Sequence, residues 1–413
     1  MKSEISRKTL KNGLRLLHIK NKENKLWVEI NFKVGAENET ADISGISHYL
    51  EHVICEGSQE YSGDKIRDEM KKLDGDFNAS TSLKRTSYFF RIQRKHFEKS
   101  LEMLSSIIQN PLIDENQVAK EKSIILNEMM QRKDHGHCEI DLLLLQGLFE
   151  KHPLANDIIG NEDTIQNMTP QKLRGHYEKY YAPNNALITV TGNIEDPTEI
   201  IEKYFTFQPK QIPKDDFLAP AQIKQKLIQK KGDTKTTYLS IGFQTAPTTH
   251  QDSNVLAVIE KILEHGKEIN LMDEVRHKRA LTYSIWTTNR SYKETGFFSI
   301  QMTTEKEKVP EASKAILEQL KKLETITTKE VENAKKKEIK DRNRQMRMPI
   351  TLHNLLINCE LFNYWKEYEN RKENIECITA EDVQRVAKQY FTENYTQAII
   401  EQGEKTSEPK EEC

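Results

Sequence analysis

The chain has 413 residues, 36% hydrophobic and 31% charged, a composition that excludes a disordered chain and a membrane-embedded one. Its 62 Lys and Arg nearly cancel its 64 Asp and Glu, leaving a net charge of −2; a field that weak argues against nucleic acid or a membrane surface as partner. At this length two domains of about 200 residues each are expected.

From the N-terminus, MKSEISRKTLKNG lacks the apolar stretch of a signal peptide, and no later run approaches the roughly 18 apolar residues of a spanning helix. A cytoplasmic protein is the expectation. TLKNGLRLLHIKN has an Asn12-Gly13 turn signal before an apolar run, and LWVEINFKVGAENE alternates apolar and polar positions; both predict strands. In DISGISHYLEHVICEGS the period becomes helical, starting after Asp42 or Ser44 and stopping at Gly57. GDKIRDEMKKLDG predicts a charged amphipathic helix, and DFNASTSLKRTSYFFRIQR returns to the Thr, Tyr and Phe chemistry of strands. Two long helices follow, FEKSLEMLSSIIQN and DENQVAKEKSIILNEMMQRKD, before the strand NNALITVTGNI closes this half near residue 195.

Prolines and charges without a period over 206–230 predict a linker between an N-terminal domain, 1–205, and a C-terminal domain, 231–400. The second half echoes the first: a strand in TTYLSIGFQT, helices over 252–279, strands in LTYSIWTTN and GFFSIQMTT, a charged helical region at 309–345 and more helices to about residue 391. The fold class is α+β, two similar domains that each pack an antiparallel-rich sheet with helices, although little residue identity links the halves. The polar tail 401–413 is expected to be disordered. Five scattered cysteines (Cys55, Cys138, Cys359, Cys377, Cys413) have no CxxC spacing and indicate neither a disulfide framework nor a thiolate zinc site.

Chemistry concentrates in HYLEH. Residues four apart on a helix lie about 40° from each other around its axis, so His48 and His52 can point two imidazoles at one ion, with Glu51 beside them as a base. Imidazole is a favoured zinc donor, and a catalytic zinc takes three protein ligands and a water. Among 12 His and 64 acids such spacings also arise by chance on exposed helices. In AKEKSIILNEMMQ, Glu121 and Glu128 lie seven apart on one helical face. Such a pair is commonly a solvated stripe, but the intervening Ile124, Ile125 and Leu126 predict partial burial, where unpaired carboxylates are costly and a cation would satisfy them.

HxxEH followed by 75 residues and Glu128 resembles the pitrilysin and insulin-degrading family of zinc peptidases, the inverted counterpart of HExxH enzymes. KTLKNGLRLL, HYLEHVICEGS, LDGDFNASTS, HPLANDIIGNEDTIQNMT and YYAPNNALITVTGNI occur in that family's order, and the chain length resembles its mitochondrial-processing-peptidase-like branch. The resemblance implies a LuxS/processing-peptidase type of fold and one Zn²⁺ per chain. It implies His48, His52 and Glu128 as zinc ligands, Glu51 as general base and Glu121 as a supporting acid. Arg276 and Tyr283 in MDEVRHKRALTYSI would reach the substrate backbone, although LEHGKEINLM and ALTY stand where the family has LGGG and GLAY. Asn78, Ala79, Ser80 and Thr81 would form an edge strand that pairs with the peptide. The implied activity is hydrolysis of short unfolded peptides inside a chamber closed by a homodimer. A processing-peptidase subunit needing an unlike partner and a catalytically silent scaffold are the alternatives. The metal-capable DHGHC (His135, His137, Cys138) and the Lys-rich NAKKKEIKDRNRQMR are better read as helix surface.

Overall fold

The structure is a computed structural model that describes residues 3–134, 136–214, 217–232 and 234–403. The strands are β1 (Glu4–Thr9), β2 (Arg15–Lys20), β3 (Lys25–Phe32), β4 (Asp76–Thr81), β5 (Thr86–Gln93), β6 (Ala186–Gly192), β7 (Lys226–Gly232), β8 (Thr237–Thr245), β9 (Ile285–Ser291), β10 (Gly296–Thr304) and β11 (Thr396–Gln402). The helices that matter below are α1 (Ile46–Cys55), α2 (Phe97–Gln109), α3 (Glu115–Asp134), α4 (Gly136–Phe149), α5 (Asp252–His265), α6 (Thr328–Gln345) and α7 (Pro349–Phe362). Among the described residues no helix is long and apolar enough to cross a membrane.

The chain divides into two units, each an α+β sandwich. Unit 1 comprises residues 1–129, 156–217 and 343–365; unit 2 comprises 130–155, 218–342 and 366–413. The sheet of unit 1 has the order β1-β2-β6-β3-β5-β4, and that of unit 2 the order β7-β11-β8-β10-β9. Apart from the extra β1 the two orders match strand for strand. Each also contains one parallel pair at the equivalent place, β2 with β6 and β7 with β11.

Alternation explains which face each strand buries. In β3 the residues Leu26, Val28, Ile30 and Phe32 join a core with Tyr88 and Phe90 of β5, Tyr49, Leu50 and Val53 of α1, and Leu101 and Leu104 of α2. A ten-residue helix such as α1 is marginal alone. Burying each large apolar side chain contributes on the order of 1.5–3 kcal/mol relative to exposure, which is what holds α1 helical against the sheet. The core of unit 2 repeats the plan with Leu239, Ile241 and Phe243 of β8, Phe298 and Ile300 of β10, and Leu256, Ile259 and Leu263 of α5.

The opposite sheet faces are covered by helices taken from the other half of the sequence. In unit 1, α7 lies over β6 and β2, and its buried His353 binds Glu29 of β3 at 2.8 Å and Thr191 of β6 at 2.8 Å. In unit 2, α4 lies over β8, β11 and β7. Close approach needs glycine there: a Cβ at Gly147 would come within 2.4 Å of the Thr396 side chain.

A single cut near residue 205 therefore does not describe the units, because 130–155 and 343–365 trade places across it. β7 also begins at Lys226, inside the stretch expected to be linker. β11 runs to Gln402, so the expected tail starts within a strand, and its residues 404–413 lie outside the described residues. The helical region expected over 252–279 is two pieces, α5 and a π-helical turn at Met272–Lys278.

Candidate metal centre

α1 owes its position to its first residues. Gly45 has φ 87°, a left-handed conformation that favours glycine. A Cβ at Gly45 would meet the Ile159 carbonyl oxygen at 2.4 Å, so the 157–161 loop can sit directly against the helix start. No side chain at Gly45 can cap the helix; instead the Glu39 carboxylate accepts from the Gly45 N–H at 2.6 Å and the Ser47 N–H at 2.9 Å. Burial pushes the Glu39 carboxyl up to about 7 against these hydrogen bonds. Tyr49 Oη donates to the Val118 carbonyl at 2.5 Å, fastening α1 to α3.

α1 and α3 together bring His48, His52 and Glu128 to one point, with a ligand atom from each within 4.8 Å of the others. His48 Nε2 and His52 Nε2 lie 3.7 and 3.6 Å from Glu128 Oε2. Donors 2.0–2.1 Å from a tetrahedral zinc stand about 3.4 Å apart, so two imidazoles and one carboxylate at these separations fit that ion. Behind the histidine, Glu121 Oε2 is 2.9 Å from His52 Nδ1. This contact fixes the tautomer with the proton on Nδ1 and the Nε2 lone pair toward the cluster. Burial lowers the His52 pKa, but hydrogen bonds to Glu121 and Glu128 outweigh it and raise the pKa to about 9. The pocket therefore demands a positive charge.

Glu51 is nearly buried beside the cluster, and burial raises its pKa to about 7. The Thr81 hydroxyl donates to Glu51 Oε2. Thr81 is the last residue of β4, the edge strand of unit 1, where Asn78 and Ser80 point outward and Ala79 and Thr81 turn toward α1. All four residues expected to line a peptide thus lie on one edge, and one of them touches the expected base. Arg276 and Tyr283 belong to unit 2, where the Arg276 guanidinium lies 4.6 Å from the centroid of the Tyr283 ring. Tyr283 is 80% exposed. Of DHGHC, His135 lies outside the described residues, and helix α4 starts afresh at Gly136.

Sequence reasoning missed the capping role of Glu39 and the bond from Thr81 to Glu51. Neither follows a fixed spacing: Glu39 reaches back from a loop, and the Thr81 contact crosses from strand to helix.

Residues 15–162 match the family described as insulinase (peptidase family M16), and residues 167–338 match the peptidase M16 inactive domain. The chain is 28% identical over 410 residues to an uncharacterised zinc protease, YmxG, of Bacillus subtilis, covering 96% of this chain and 98% of that protein. It is 29% identical over 422 residues to an uncharacterised zinc protease of Rickettsia felis, covering 97% and 98%. Among solved structures, a protease from Helicobacter pylori superposes with a TM-score of 0.86 at 23% identity, covering 97% of this chain and all of that one. Two matched segments that together span most of the chain, in the order insulinase then M16 inactive domain, place it in a family: the chain belongs to peptidase family M16, the pitrilysin and insulin-degrading group.

Proposed function

We propose that this protein is a zinc-dependent peptidase with one Zn²⁺ per chain, held by His48, His52 and Glu128. The observation that carries the reading is the convergence of those three donors within 4.8 Å, with a carboxylate behind one histidine and a second carboxylate, Glu51, held at the side. Zinc in such a site supplies Lewis acidity and brings the pKa of a water toward neutrality. Glu51 takes the proton of the attacking water and returns it to the leaving amine. Its raised pKa suits both transfers near neutral pH. Thr81 orients the carboxylate, and Glu121 keeps His52 in the ligating tautomer. The outward edge of β4, with Asn78, Ala79 and Ser80, offers main-chain groups to an extended peptide.

The substrate in this reading is a short unfolded peptide, enclosed by a homodimer in which Arg276 and Tyr283 of one copy hold the substrate backbone at the zinc of the other. A cytoplasmic location belongs to the same proposal. Incubation with a mixed peptide library, read by mass spectrometry with and without chelator, tests the activity. Wild type is expected to cleave, chelator and Glu51→Gln to stop it; cleavage insensitive to both would sink the zinc-peptidase reading. Mixing Glu51→Gln with Tyr283→Phe chains tests the exchange: recovery of activity from two dead parents is the expected result, and its absence counts against the dimer.

A further inference from the structure

The segment that leads from β3 into α1 carries two buried acids on alternate residues, Glu37 and Glu39, 5% and 7% exposed. They serve different elements. Glu37 Oε2 lies 2.8 Å from Nζ of Lys84, whose side chain is 12% exposed and which belongs to the turn between β4 and β5. Glu39 gives one carboxylate oxygen to the Gly45 N–H and the other to the Ser47 N–H, at the start of α1. The Ser47 side chain is held in turn, its Oγ 3.1 Å from Nε2 of the buried His176.

The backbone that carries the two acids is fixed as well. Ala36–Asn38 is a 3-10 turn in which Asn38 Oδ1 accepts from the Gly35 N–H at 3.0 Å, and Asn156 Nδ2 donates to the Ala36 carbonyl at 2.8 Å. The turn pairs with the main chain of the β4–β5 hairpin: the Ala36 N–H donates to the Ser82 carbonyl at 3.2 Å and the Glu37 N–H to the Leu83 carbonyl at 2.9 Å. Ser82 follows Thr81, whose hydroxyl donates to Glu51, and Glu51 lies one helical turn after Ser47. The contacts run in a closed circuit. Glu39 holds the start of α1, α1 carries Glu51, Glu51 meets Thr81, and the turn after Thr81 returns through Lys84 to Glu37, two residues from Glu39.

We propose that Glu37, Lys84 and Glu39 are positioning residues: the Glu37–Lys84 pair holds the end of β4, and with it Thr81, at a set distance from the helix that Glu39 holds. One acid would fix either the hairpin or the helix; two acids on one rigid turn fix each relative to the other. A buried ion pair is often no more stabilising than an apolar pair of similar volume, but its geometry is stricter. The ammonium must meet the carboxylate at hydrogen-bonding distance, whereas apolar side chains can slide against each other. The consequence falls on Glu51, because the Thr81 hydroxyl reaches that carboxylate only while the hairpin keeps its place, and a shift of about 1 Å breaks such a contact. The same shift would displace the outward edge of β4, where the peptide is proposed to pair.

The inference rests on the proposed roles of Glu51 and Thr81, and the test separates the two. Glu37→Leu/Lys84→Met replaces the ion pair with apolar side chains in the full-length protein. Its melting temperature is expected to stay close to that of wild type, and its zinc affinity within about twofold, because it shares no partner with the ligands. Deuterium exchange over residues 33–40, read by mass spectrometry, is expected to quicken about tenfold as the turn leaves the hairpin. On a cleaved peptide kcat is expected to fall on the order of 10–100-fold, yet by less than about twofold when the same pair is introduced into Thr81→Val, where the contact is already gone. A folded double variant with wild-type kcat overturns the inference, and so does a loss undiminished in the Thr81→Val background. Glu39→Gln turns an amide N–H toward a backbone donor and is expected to lower zinc affinity roughly fivefold, as the start of α1 frays in the metal-free protein; unchanged affinity overturns the inference too. Wild type that cleaves no peptide overturns the peptidase reading instead, and exchange then decides: wild-type exchange in the double variant overturns the inference, and quickened exchange upholds it. Should the double variant aggregate, Asn156→Ala frees the Ala36 carbonyl and is read in the same ways, with the same results overturning the inference.

Discussion

Replacing Glu121 isolates what the acid behind the histidine contributes. Its Oε2 lies 2.9 Å from His52 Nδ1, and the residue is 3% exposed, so the contact is a hydrogen bond of ordinary length shielded from water. Glu121→Ala leaves Nδ1 without its acceptor, and the imidazole can then rotate or place its proton on Nε2, where it blocks ligation. Losing such a partner typically lowers metal affinity 10–100-fold, which is about 1.4–2.7 kcal/mol at 1.36 kcal/mol per decade. Glu121→Gln retains an acceptor oxygen and loses only the charge, so its loss belongs at the lower end, about tenfold. Competition for zinc against a chromophoric chelator measures both, with circular dichroism to confirm folding. A folded Glu121→Ala chain with zinc affinity within twofold of wild type would refute the argument, as would a Gln variant weaker than the Ala variant.

Three more outcomes follow from contacts described above. Thr81→Val removes the hydroxyl on Glu51; a hydrogen bond to a charged group is worth about 1.5–3 kcal/mol, so kcat on a peptide substrate should fall roughly 10–100-fold, while Thr81→Ser stays within a few-fold of wild type. His353→Ala strands the buried Glu29 carboxylate, whose remaining close donor is the Trp27 indole at 3.0 Å; breaking such a pair costs about 3–5 kcal/mol, visible in urea unfolding, and the apolar double replacement Glu29→Leu/His353→Leu should cost less than the single one. Glu260 is held near pKa 7 by burial and then by the Glu264 charge. The folded state thus keeps its proton up to about 7 while the unfolded chain loses it near 4.3, and stability falls as pH rises between those values. Glu260→Gln removes that titration and should gain roughly 1–3 kcal/mol relative to wild type at pH 8 compared with pH 4; an equal difference at both pH values in thermal melts would contradict it.

The alternation in β3 and the helical spacing of His48, His52, Glu121 and Glu128 are local periodicities, and these were legible. Such patterns survive because one face of each element must meet the core or the cluster. Helix α4 was not legible, because IDLLLLQGLF is apolar on every side and offers no period to read. The division into units was hidden for a different reason: nothing in composition marks that α4 and α7 each pack with the other half. Glu39 and Thr81 act across loops and between elements, where spacing carries no information.

The trade of α4 for α7 makes the two halves of this chain interdependent in a way that their connection by one backbone does not. A polypeptide ending before β7 would contain every proposed zinc ligand, yet it would lack the helix whose His353 hydrogen-bonds Glu29, and α4 would have no sheet to cover. Severing the segment between α7 or α4 and its sheet is therefore a different injury from cutting the chain at 206–225, where no strand or helix runs among the described residues. Chains cut there and expressed together should reassemble, each half completing the other; either half expressed alone can cover its bare sheet only by borrowing a helix from a second molecule, and should be recovered aggregated or not at all.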